Sequence, residues 1–391
     1  MEHCVVAGAG LAGLNTVMAL RTRGYEGRLT LLGAEPHPPY DRPPLSKQLL
    51  DGRVDDPTLP ADWAGLGVDC RWETAATGLR DGAVDTAAGP VPCDAAVIAT
   101  GAAPVRLPGD GPQRTLRTVE DARALRKALR PGASVAIVGA GWIGAEVATA
   151  AAAAGCRVTV VEAAAHPLAT ALPAEVAVPT TPWWAGAGVE LLTDTSVRSV
   201  VVGGLELADG SFLAADEVLV AVGVRPVTAW LDGSGLTLGD GVVVDERLAA
   251  RPGVCAVGDV AAWWSARYGE RLRVEHWDTA LRAPAVVAST LLGGDDVYDP
   301  VPYVWSEQFG RYTQYAGRHT QGDSLVWRGD PATDAAWAAC WLRDDRLRAV
   351  FAVDRPRDAV QGRRVAERGQ PVDAARLADP AVPIKLAVAD R

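Results

Sequence analysis

Two glycine turns carry the residue types and spacing that most clearly indicate chemistry. Their glycines stand at the same intervals, at Gly8, Gly10 and Gly13 and again at Gly139, Gly141 and Gly144. In a GxGxxG turn, the first glycine permits a tight bend, the second lets a pyrophosphate approach the backbone, and the third lets helix and strand pack closely. The free N–H groups at the start of the next helix then attract phosphate. The pattern predicts two dinucleotide-binding sites.

Both turns lie between the elements that position such a site. Apolar runs predict buried strands, and apolar residues at helical spacing predict the helices between them. The first unit has predicted strands at 4–7 and 28–32 around a helix at 15–23, and the second has strands at 134–138 and 157–161 around a helix at 146–154. The repeated order indicates a duplicated supersecondary unit. We therefore expect an α/β fold with two Rossmann-like dinucleotide-binding domains.

An acidic residue follows the second strand of the second unit. Glu162 lies about twenty residues after the glycine turn, where a carboxylate accepts hydrogen bonds from ribose hydroxyls. The same carboxylate would repel a 2′-phosphate, which an arginine would instead attract. Only alanines and His166 follow it closely. The second site is therefore predicted to prefer NAD over NADP.

Composition and cysteine spacing argue against several classes of function. A formal net charge of −10 makes nucleic acid and anionic membranes poor partners. The first turn begins at residue 8, which leaves no room for a leader, and no long apolar run suggests an anchor, so we expect a cytoplasmic protein. The six cysteines are scattered without a CxxC pair. We therefore expect reduced thiols, no redox cysteine pair and no metal site.

The rest of the chain predicts further buried strands and a third domain. Buried strands are expected at 94–101, 213–222 and 253–259, the last ending at Asp259, where the carboxyl end of a strand opens the ligand crevice. Thr118 is the expected N-cap of a helix over 118–129. From Tyr298 onward, short alternating strands indicate an α+β domain. The expected domains are a discontinuous one at 1–108 and 236–315, a second at 109–235 and a C-terminal one at 316–391.

Several motifs resemble the flavin-dependent ferredoxin reductases, which are the reductase components of bacterial monooxygenase and dioxygenase electron-transfer chains. The most specific motif is Pro39-Tyr-Asp-Arg-Pro-Pro-Leu-Ser-Lys47. The others are Ala99-Thr-Gly101, Gly141-Trp-Ile-Gly-Ala-Glu146, Gly258-Asp259, Arg273-Val-Glu-His-Trp277 and Val304-Trp-Ser-Glu-Gln308. Related disulfide reductases carry a redox cysteine pair where this chain has Pro43-Pro-Leu-Ser-Lys47, so the resemblance disfavours disulfide chemistry.

The resemblance implies FAD on the first unit, NADH on the second and a reactive centre of Lys47, Glu146 and Trp305. Lys47 would lie near flavin N5, Glu146 would pair with it beside the nicotinamide, and Asp259 would hold the ribitol. The implied cofactor-binding set is Gly8, Gly10, Gly13, Glu35, Arg42, Lys47, Thr100, Gly101, Gly139, Gly141, Ile143, Gly144, Glu162, Gly223, Gly258, Asp259, His276, Trp277 and Trp305. Alternatively, Lys47 is a solvated surface lysine, and Trp277 and Trp305 are core aromatics.

The chain departs from this family's pattern in three places. Pro173, Pro179 and Pro182 interrupt the helix expected after residue 161, and Trp183-Trp184 follow them. Pro284 stands where the family usually has glycine, in a helix that would point at the flavin. Arg311-Tyr312-Thr313 replaces a mostly aliphatic and basic strand segment near Trp305.

The resemblance predicts an enzyme that takes hydride from NADH onto FAD and passes single electrons to a small iron–sulfur ferredoxin. The ferredoxin would serve a monooxygenase or dioxygenase, and the reductase would be a monomer or a homodimer. The alternatives are an NADH oxidase or quinone-type reductase, and a redox-sensing flavin-binding interaction protein. An acidic ferredoxin needs a local basic face on this acidic chain. We expect that face near Arg311, with Arg318, Arg343, Arg346 and Arg348 as further candidates.

Overall fold

A computed structural model describes residues 1–389 of the chain. The strands, numbered in chain order, are β1 His3–Ala7, β2 Arg28–Leu32, β3 Val68–Arg71, β4 Ala76–Arg80, β5 Ala83–Thr86, β6 Gly89–Pro92, β7 Ala95–Ile98, β8 Ala102–Pro104, β9 Ser134–Val138, β10 Arg157–Val161, β11 Val189–Leu192, β12 Val197–Val201, β13 Gly204–Leu207, β14 Phe212–Ala214, β15 Glu217–Val220, β16 Val224–Pro226, β17 Leu238–Gly239, β18 Gly241–Val244, β19 Ala249–Arg251, β20 Val254–Ala256, β21 Ala261–Ser265, β22 Glu270–Leu272, β23 Tyr303–Gln308, β24 Arg311–Gly317, β25 Ser324–Arg328, β26 Trp337–Arg343 and β27 Arg346–Val353.

The helices lie between groups of these strands and after the last of them. They are α1 Leu11–Thr22, α2 Trp63–Leu66, α3 Val119–Ala128, α4 Trp142–Ala153, α5 Ala174–Ala177, α6 Pro182–Gly186, α7 Trp277–Leu291, α8 Pro356–Arg368 and α9 Ala374–Ala378, with 3₁₀ turns at Pro43–Ser46, Val178–Thr180, Ala229–Leu231, Gly258–Val260 and Ile384–Leu386. Among residues 1–389, no helix combines the length and the apolar character needed to cross a membrane. The expected cytoplasmic location stays a prediction.

The chain divides into two compact units. The first unit comprises Met1–Asp41, Pro57–Ala103 and Val224–Pro302. Its central sheet has the strand order β19-β20-β7-β1-β2-β3, in which the strands from β20 to β3 run parallel and β19 is antiparallel. Every residue of β1 and β7 is buried, which matches the continuous apolar runs expected of a parallel sheet covered on both faces.

The second unit comprises Arg42–Asp56, Pro104–Gly223 and the described part of Tyr303–Arg391. It contains a parallel sheet of order β11-β10-β9-β15 and an antiparallel sheet of order β23-β24-β27-β26-β25. Trp183 packs with Phe351 and Trp337 in a buried core to which the segment 168–183 and the antiparallel sheet both contribute. The expected α/β class, with two Rossmann-like sheets and a C-terminal α+β region, is confirmed.

Local signals explain several of these elements. Thr118 caps α3 by accepting a hydrogen bond from the backbone N–H of Asp121, whose carboxylate accepts one from the Thr118 N–H, so the expected cap is confirmed. The prolines after residue 161 leave only the short helices α5 and α6 with a 3₁₀ turn between them. In contrast, α7 continues through the buried Pro284.

One expected strand needs correction, and parts of the expected domain division differ from the sheets and the compact units. The strand expected over 213–222 is two strands, because β14 pairs antiparallel with β13 while β15 pairs parallel with β9. The boundary expected between residues 315 and 316 falls inside β24, which pairs with β23 on one side and β27 on the other. The C-terminal sheet therefore begins at Tyr303. The segment Arg42–Asp56 falls in the first of the expected domains, but it lies in the second compact unit.

Candidate functional site

The first glycine turn is tight because its outer glycines meet other backbone atoms. Gly8 has a φ of +118°, and a Cβ there would lie 2.2 Å from the Ala99 carbonyl oxygen. A Cβ on Gly13 would lie 1.9 Å from the carbonyl oxygen of Gly8. A Cβ on Gly10 would meet nothing within 4 Å. The fold thus requires Gly8 and Gly13, whereas the position of Gly10 is open, which is what a turn of this kind needs for a phosphate to approach the backbone.

The second turn repeats this arrangement. A Cβ on Gly139, whose φ is +102°, would lie 2.5 Å from the Ala221 carbonyl oxygen, and one on Gly144 would lie 2.0 Å from that of Gly139. A Cβ on Gly141 would again meet nothing within 4 Å. Each turn therefore leaves an open cradle at its middle glycine, and this fits the phosphate group that such turns bind.

The helices that follow the turns begin without side-chain caps. Gly10 and Gly141 are the N-caps of α1 and α4, and a glycine has no side chain that could accept from the first N–H groups of its helix. The N-terminus of α3, by comparison, is satisfied by Thr118. The uncapped N–H groups and the positive end of the helix dipole make both turns suitable for a bound phosphate.

The remaining cofactor-binding candidates of the first unit follow the carboxyl ends of its parallel strands. Gly8 packs against the backbone of Thr100. Gly258 has a φ of +74°, and a Cβ added to it would lie 3.0 Å from the Cβ of Ala12. The Thr100 hydroxyl donates to the Val227 carbonyl at 2.8 Å, and Gly101 has a φ of +68°. These candidates gather at one edge of the sheet, where ligands bind in folds of this class.

His276 and Trp277 stand at the start of α7 in the same unit. His276 is the N-cap of this helix, and the Trp277 indole N–H donates to an Asp41 carboxylate oxygen at 2.8 Å. Loss of solvation lowers the pKa of His276 below 6.5, and the nearby Asp259 carboxylate opposes that shift. Glu35, two residues beyond Gly33 at the end of β2, accepts a hydrogen bond from the Tyr40 hydroxyl.

Glu162 in the second unit is fixed by two backbone groups. One carboxylate oxygen accepts from the Ala140 N–H inside the glycine turn at 2.7 Å, and the other accepts from the Ala164 N–H at 2.9 Å. The acid therefore lies against the turn that leaves the second cradle. Gly223 follows β15 at the same edge of the sheet, and Ile143 is 40% exposed in the first turn of α4.

The structure brings Lys47 and Glu146 together in the second unit. Their side chains are 9% and 2% exposed, and the Lys47 ammonium lies 2.8 Å from Glu146 Oε2. The Ser46 hydroxyl donates to the same oxygen, and the Ser306 hydroxyl donates to Oε1 at 2.6 Å. Lys47 is thus a buried partner of Glu146 rather than a solvated lysine. Sequence reasoning missed both serines, although each adjoins a residue that it selected.

Trp305 and Arg311 occupy the antiparallel sheet of the second unit. Trp305 stacks on Tyr303, with ring centroids 6.0 Å apart and planes 27° apart. The Arg311 guanidinium lies 4.7 Å from the centre of the Trp183 ring and donates to the Phe309 carbonyl at 3.2 Å. Arg311 therefore has a packing role. Arg42, another candidate residue of the second unit, donates to the Arg117 carbonyl.

The cysteines have no thiolate character. All six are free thiols: Cys4, Cys70, Cys93, Cys156, Cys255 and Cys340. Burial raises the pKa of every one of them, to about 11 for Cys70 and to about 12 for Cys255 and Cys340. Because the thiolate is the nucleophile in disulfide chemistry, none of these residues is suited to it.

Comparisons with known proteins agree with this site. Residues 2–283 match the family described as "Pyridine nucleotide-disulphide oxidoreductase", and residues 303–388 match the family described as "Reductase C-terminal". The chain is 36% identical over 411 residues to the anthranilate 1,2-dioxygenase system ferredoxin–NAD(+) reductase component of Burkholderia cepacia, covering 97% of this chain and 98% of the relative.

Two solved structures are similar over nearly the whole chain. The crystal structure of Fdr9 has 49% identity and a TM-score of 0.94, covering 98% of this chain and 99% of that one. The covalent putidaredoxin reductase–putidaredoxin complex has 29% identity and a TM-score of 0.94, covering 100% of this chain and 99% of that one. The chain therefore belongs to the pyridine nucleotide-disulphide oxidoreductase family and, within it, to the ferredoxin reductases.

Proposed function

We propose that this protein is an NADH:ferredoxin reductase that serves a monooxygenase or dioxygenase. The observation that carries the proposal is the pair of open cradles at Gly10 and Gly141, each in front of an uncapped helix. Two such turns in one chain, together with six free thiols whose pKa values are raised, favour transfer between nucleotide cofactors over disulfide chemistry. The relatives named above are ferredoxin reductases, which supports the choice of acceptor.

The first turn would hold FAD and the second would hold NADH. Gly8, Gly10 and Gly13 would shape the first cradle, with Asp259 and Glu35 near the same sheet edge. Glu162 supports NADH in the second, because its fixed carboxylate would accept from ribose hydroxyls and repel a 2′-phosphate. FAD, when bound, accepts a hydride and releases electrons singly.

The Lys47–Glu146 pair would act on charge rather than on bonds. Lys47 would present a compact cation to the flavin, and Glu146 would hold that cation in place beside the nicotinamide. A buried ammonium needs such a partner, since an unpaired buried charge is costly. Trp305 would lie between the flavin and the electron acceptor.

A ferredoxin would dock on a local basic face near Arg311. Arg311 has a half-buried side chain stacked on Trp183, so only part of its guanidinium is free to meet a partner. The hairpin that carries Arg343 and Arg346 is a poorer candidate, because Arg343 pairs with Asp323 and two aspartates form the turn. A second basic surface is the outer face of α8, where Arg357, Arg364 and Arg368 are exposed.

The test is a stopped-flow experiment on the purified holoprotein. Mixing with NADH should bleach the flavin absorbance faster than mixing with NADPH, and adding an oxidised [2Fe–2S] ferredoxin should then restore it faster than air alone. No bleaching by either nucleotide would overturn the reductase proposal. Bleaching followed by reoxidation that ferredoxin does not accelerate would favour an oxidase or quinone reductase.

The docking face can be tested with two matched variants. Arg311→Glu should slow ferredoxin reduction several-fold and flatten its salt dependence, with hydride transfer from NADH unchanged. Arg364→Glu on α8 makes the same change in charge without disturbing a stacked tryptophan. If only Arg364→Glu slows ferredoxin reduction, the face is α8 and the Arg311 assignment is wrong. Loss of hydride transfer in Arg311→Glu would show damage to packing instead.

A further inference from the structure

The Glu146 carboxylate is a junction between three separate segments of the second unit. Glu146 lies on α4, Ser46 and Lys47 belong to the segment around the 3₁₀ turn Pro43–Ser46, and Ser306 lies on β23. Ser46 and Glu146 are each 3% exposed and Ser306 is fully buried. Three side chains that are all distant in sequence from Glu146 therefore converge on its buried carboxylate.

The two oxygens of this carboxylate have different partners. Oε1 accepts from the Ser306 hydroxyl at 2.6 Å, while Oε2 accepts from Ser46 and from the Lys47 ammonium at 2.8 Å. A serine hydroxyl has a single proton to donate, and both serines donate theirs to the Glu146 carboxylate. Ser306 thus occupies one oxygen and leaves the other to face Lys47.

The backbone of Ser306 is itself held in place. Its carbonyl accepts a hydrogen bond from the buried Thr313 hydroxyl at 3.0 Å, across the β23–β24 pair. Because successive side chains of a strand point to opposite faces, this position also directs the neighbouring Trp305 away from Glu146. One short stretch of β23 therefore sets the orientation of both the carboxylate and the tryptophan.

We propose that Ser306 and Ser46 are positioning residues that fix Glu146 so that a single oxygen, Oε2, faces Lys47. The functional value of this arrangement rests on the proposed reductase function. Without the Ser306 hydroxyl, Oε1 is a buried acceptor with no donor, which is costly. The carboxylate then turns so that both oxygens share the Lys47 ammonium, and the ammonium is drawn toward Glu146.

The chain offers an unusually direct probe of this arrangement. Lysine occurs at only three positions, Lys47, Lys127 and Lys385, so ¹⁵N labelling of lysine side chains gives few signals. Lys127 and Lys385 are exposed, whereas the Lys47 side chain is 9% exposed and ion-paired. The Lys47 ammonium should therefore give the slowly exchanging signal, and Lys47→Arg would confirm the assignment.

The experiment compares this signal in the purified protein and its serine variants, without added nucleotide. Ser306→Ala should shift the Lys47 signal and change its hydrogen-exchange rate several-fold, Ser46→Ala should do so independently, and Ser306→Thr, which keeps a hydroxyl, should restore the wild-type signal. Ser265→Ala is the matched control. Ser265 is also fully buried and donates to a carboxylate, that of Asp299, but it lies in the first unit.

The outcomes separate positioning from general stability. If Ser306→Ala lowers the melting temperature while the Lys47 signal stays as in the wild type, the serine is merely structural and the proposal is overturned. The same holds if Ser265→Ala moves the Lys47 signal equally. Since the signal is read without NADH or ferredoxin, it stands or falls separately from the reductase assay. With that assay intact, Ser306→Ala should also slow flavin reduction by NADH several-fold, and Ser306→Thr should recover it.

Discussion

The turn Gly8–Gly13 in the first unit and the turn Gly139–Gly144 in the second unit use the same backbone packing. In both, the outer glycines meet carbonyl oxygens of their own chain and the middle glycine meets open space. In both, the N–H of the first glycine donates to the last carbonyl of the next strand, that of Leu32 or Val161, at 2.9 and 2.8 Å. The shape of the cradle is therefore repeated with little change.

The side chains around the two turns differ. Asn15 on α1 donates to the Leu11 carbonyl within its own helix, whereas Glu146, at the equivalent place on α4, is a buried charge with three donors. Glycine follows β2 at Gly33, and the acid Glu35 comes two residues later, whereas Glu162 directly follows β10. In the proposed function, the glycines of each turn would bind a dinucleotide, and the neighbouring polar residues would determine which dinucleotide binds and what reaction it undergoes.

The largest expected effect distinguishes the outer from the middle glycine of the first turn. Gly8→Ala should destabilise the first unit severely, because it combines a positive φ with a Cβ only 2.2 Å from a carbonyl oxygen. Gly10→Ala should fold normally, since nothing lies within 4 Å of the new methyl group, yet it should lose FAD. Circular dichroism and flavin absorbance would measure the two. A folded Gly10→Ala with full flavin content would contradict the assignment of the first cradle.

The second prediction concerns the helix position at which the turns differ. Lys47→Met leaves the Glu146 charge buried without its cation, which should cost about 3–5 kcal/mol, and Glu146→Gln in the same chain should recover most of it. Asn15→Ala, the equivalent change in α1, should cost much less because Asn15 bonds within its own helix. Thermal melting of the wild type and these three variants would measure the differences. If Lys47→Met lowers stability no more than Asn15→Ala does, the Lys47–Glu146 ion pair does not stabilise the fold.

A smaller effect, on the choice between NADH and NADPH, is expected from changes at the acids Glu162 and Glu35. Glu162→Gln removes the charge that repels a 2′-phosphate, so the preference for NADH over NADPH should fall several-fold. Glutamine retains one oxygen for the N–H of Ala140 or Ala164, which makes it a gentler change than arginine. Glu35→Gln should leave the preference unaltered, because Glu35 belongs to the first unit. If both variants change the preference for NADH over NADPH equally, Glu162 does not bind the ribose of the nucleotide.

The smallest expected effect is a pH dependence of stability that involves His276. Since desolvation lowers the pKa of His276 below 6.5 in the folded state, the unfolded chain binds the proton first as the pH falls. Folding stability should therefore decrease below about pH 6.5, and His276→Gln should weaken that decrease. The part of the decrease that remains in this variant should come from His3 and His319, whose pKa values are also lowered by desolvation. Melting temperatures measured across this pH range would reveal an unchanged slope if His276 plays no part.

Sequence patterns predicted the local features of the fold and the site. The turns, the strands that precede them and the Thr118 cap all depend on residues close in sequence, and the structure has them. The pairing of Lys47 with Glu146 came from a family resemblance, since no spacing in one sequence relates positions so far apart.

The features that sequence reasoning missed depend on long-range packing. The bond from Ser306 to Glu146 forms only because β23 lies beside α4, and serine carries no pattern that would mark it. The sequence predicts Arg311 as a docking residue because it is basic and lies near Trp305, but its ring partner Trp183 lies in the proline-rich segment whose course the sequence does not predict. The expected boundary near residue 315 differs from the start of the last sheet for a similar reason, because the pairing of β23 with β24 decides where that sheet begins.

The most direct test of the two-turn account is the purified Gly141→Ala variant mixed with NADH in a stopped-flow spectrometer. Nothing lies within 4 Å of the added methyl group, so the protein should fold and keep its flavin on the untouched first turn. We expect NADH to bleach that flavin at least tenfold more slowly than in the wild type, while dithionite bleaches it fully. Bleaching by NADH at the wild-type rate, or loss of the flavin itself, would contradict the claim that the first turn holds FAD and the second holds NADH.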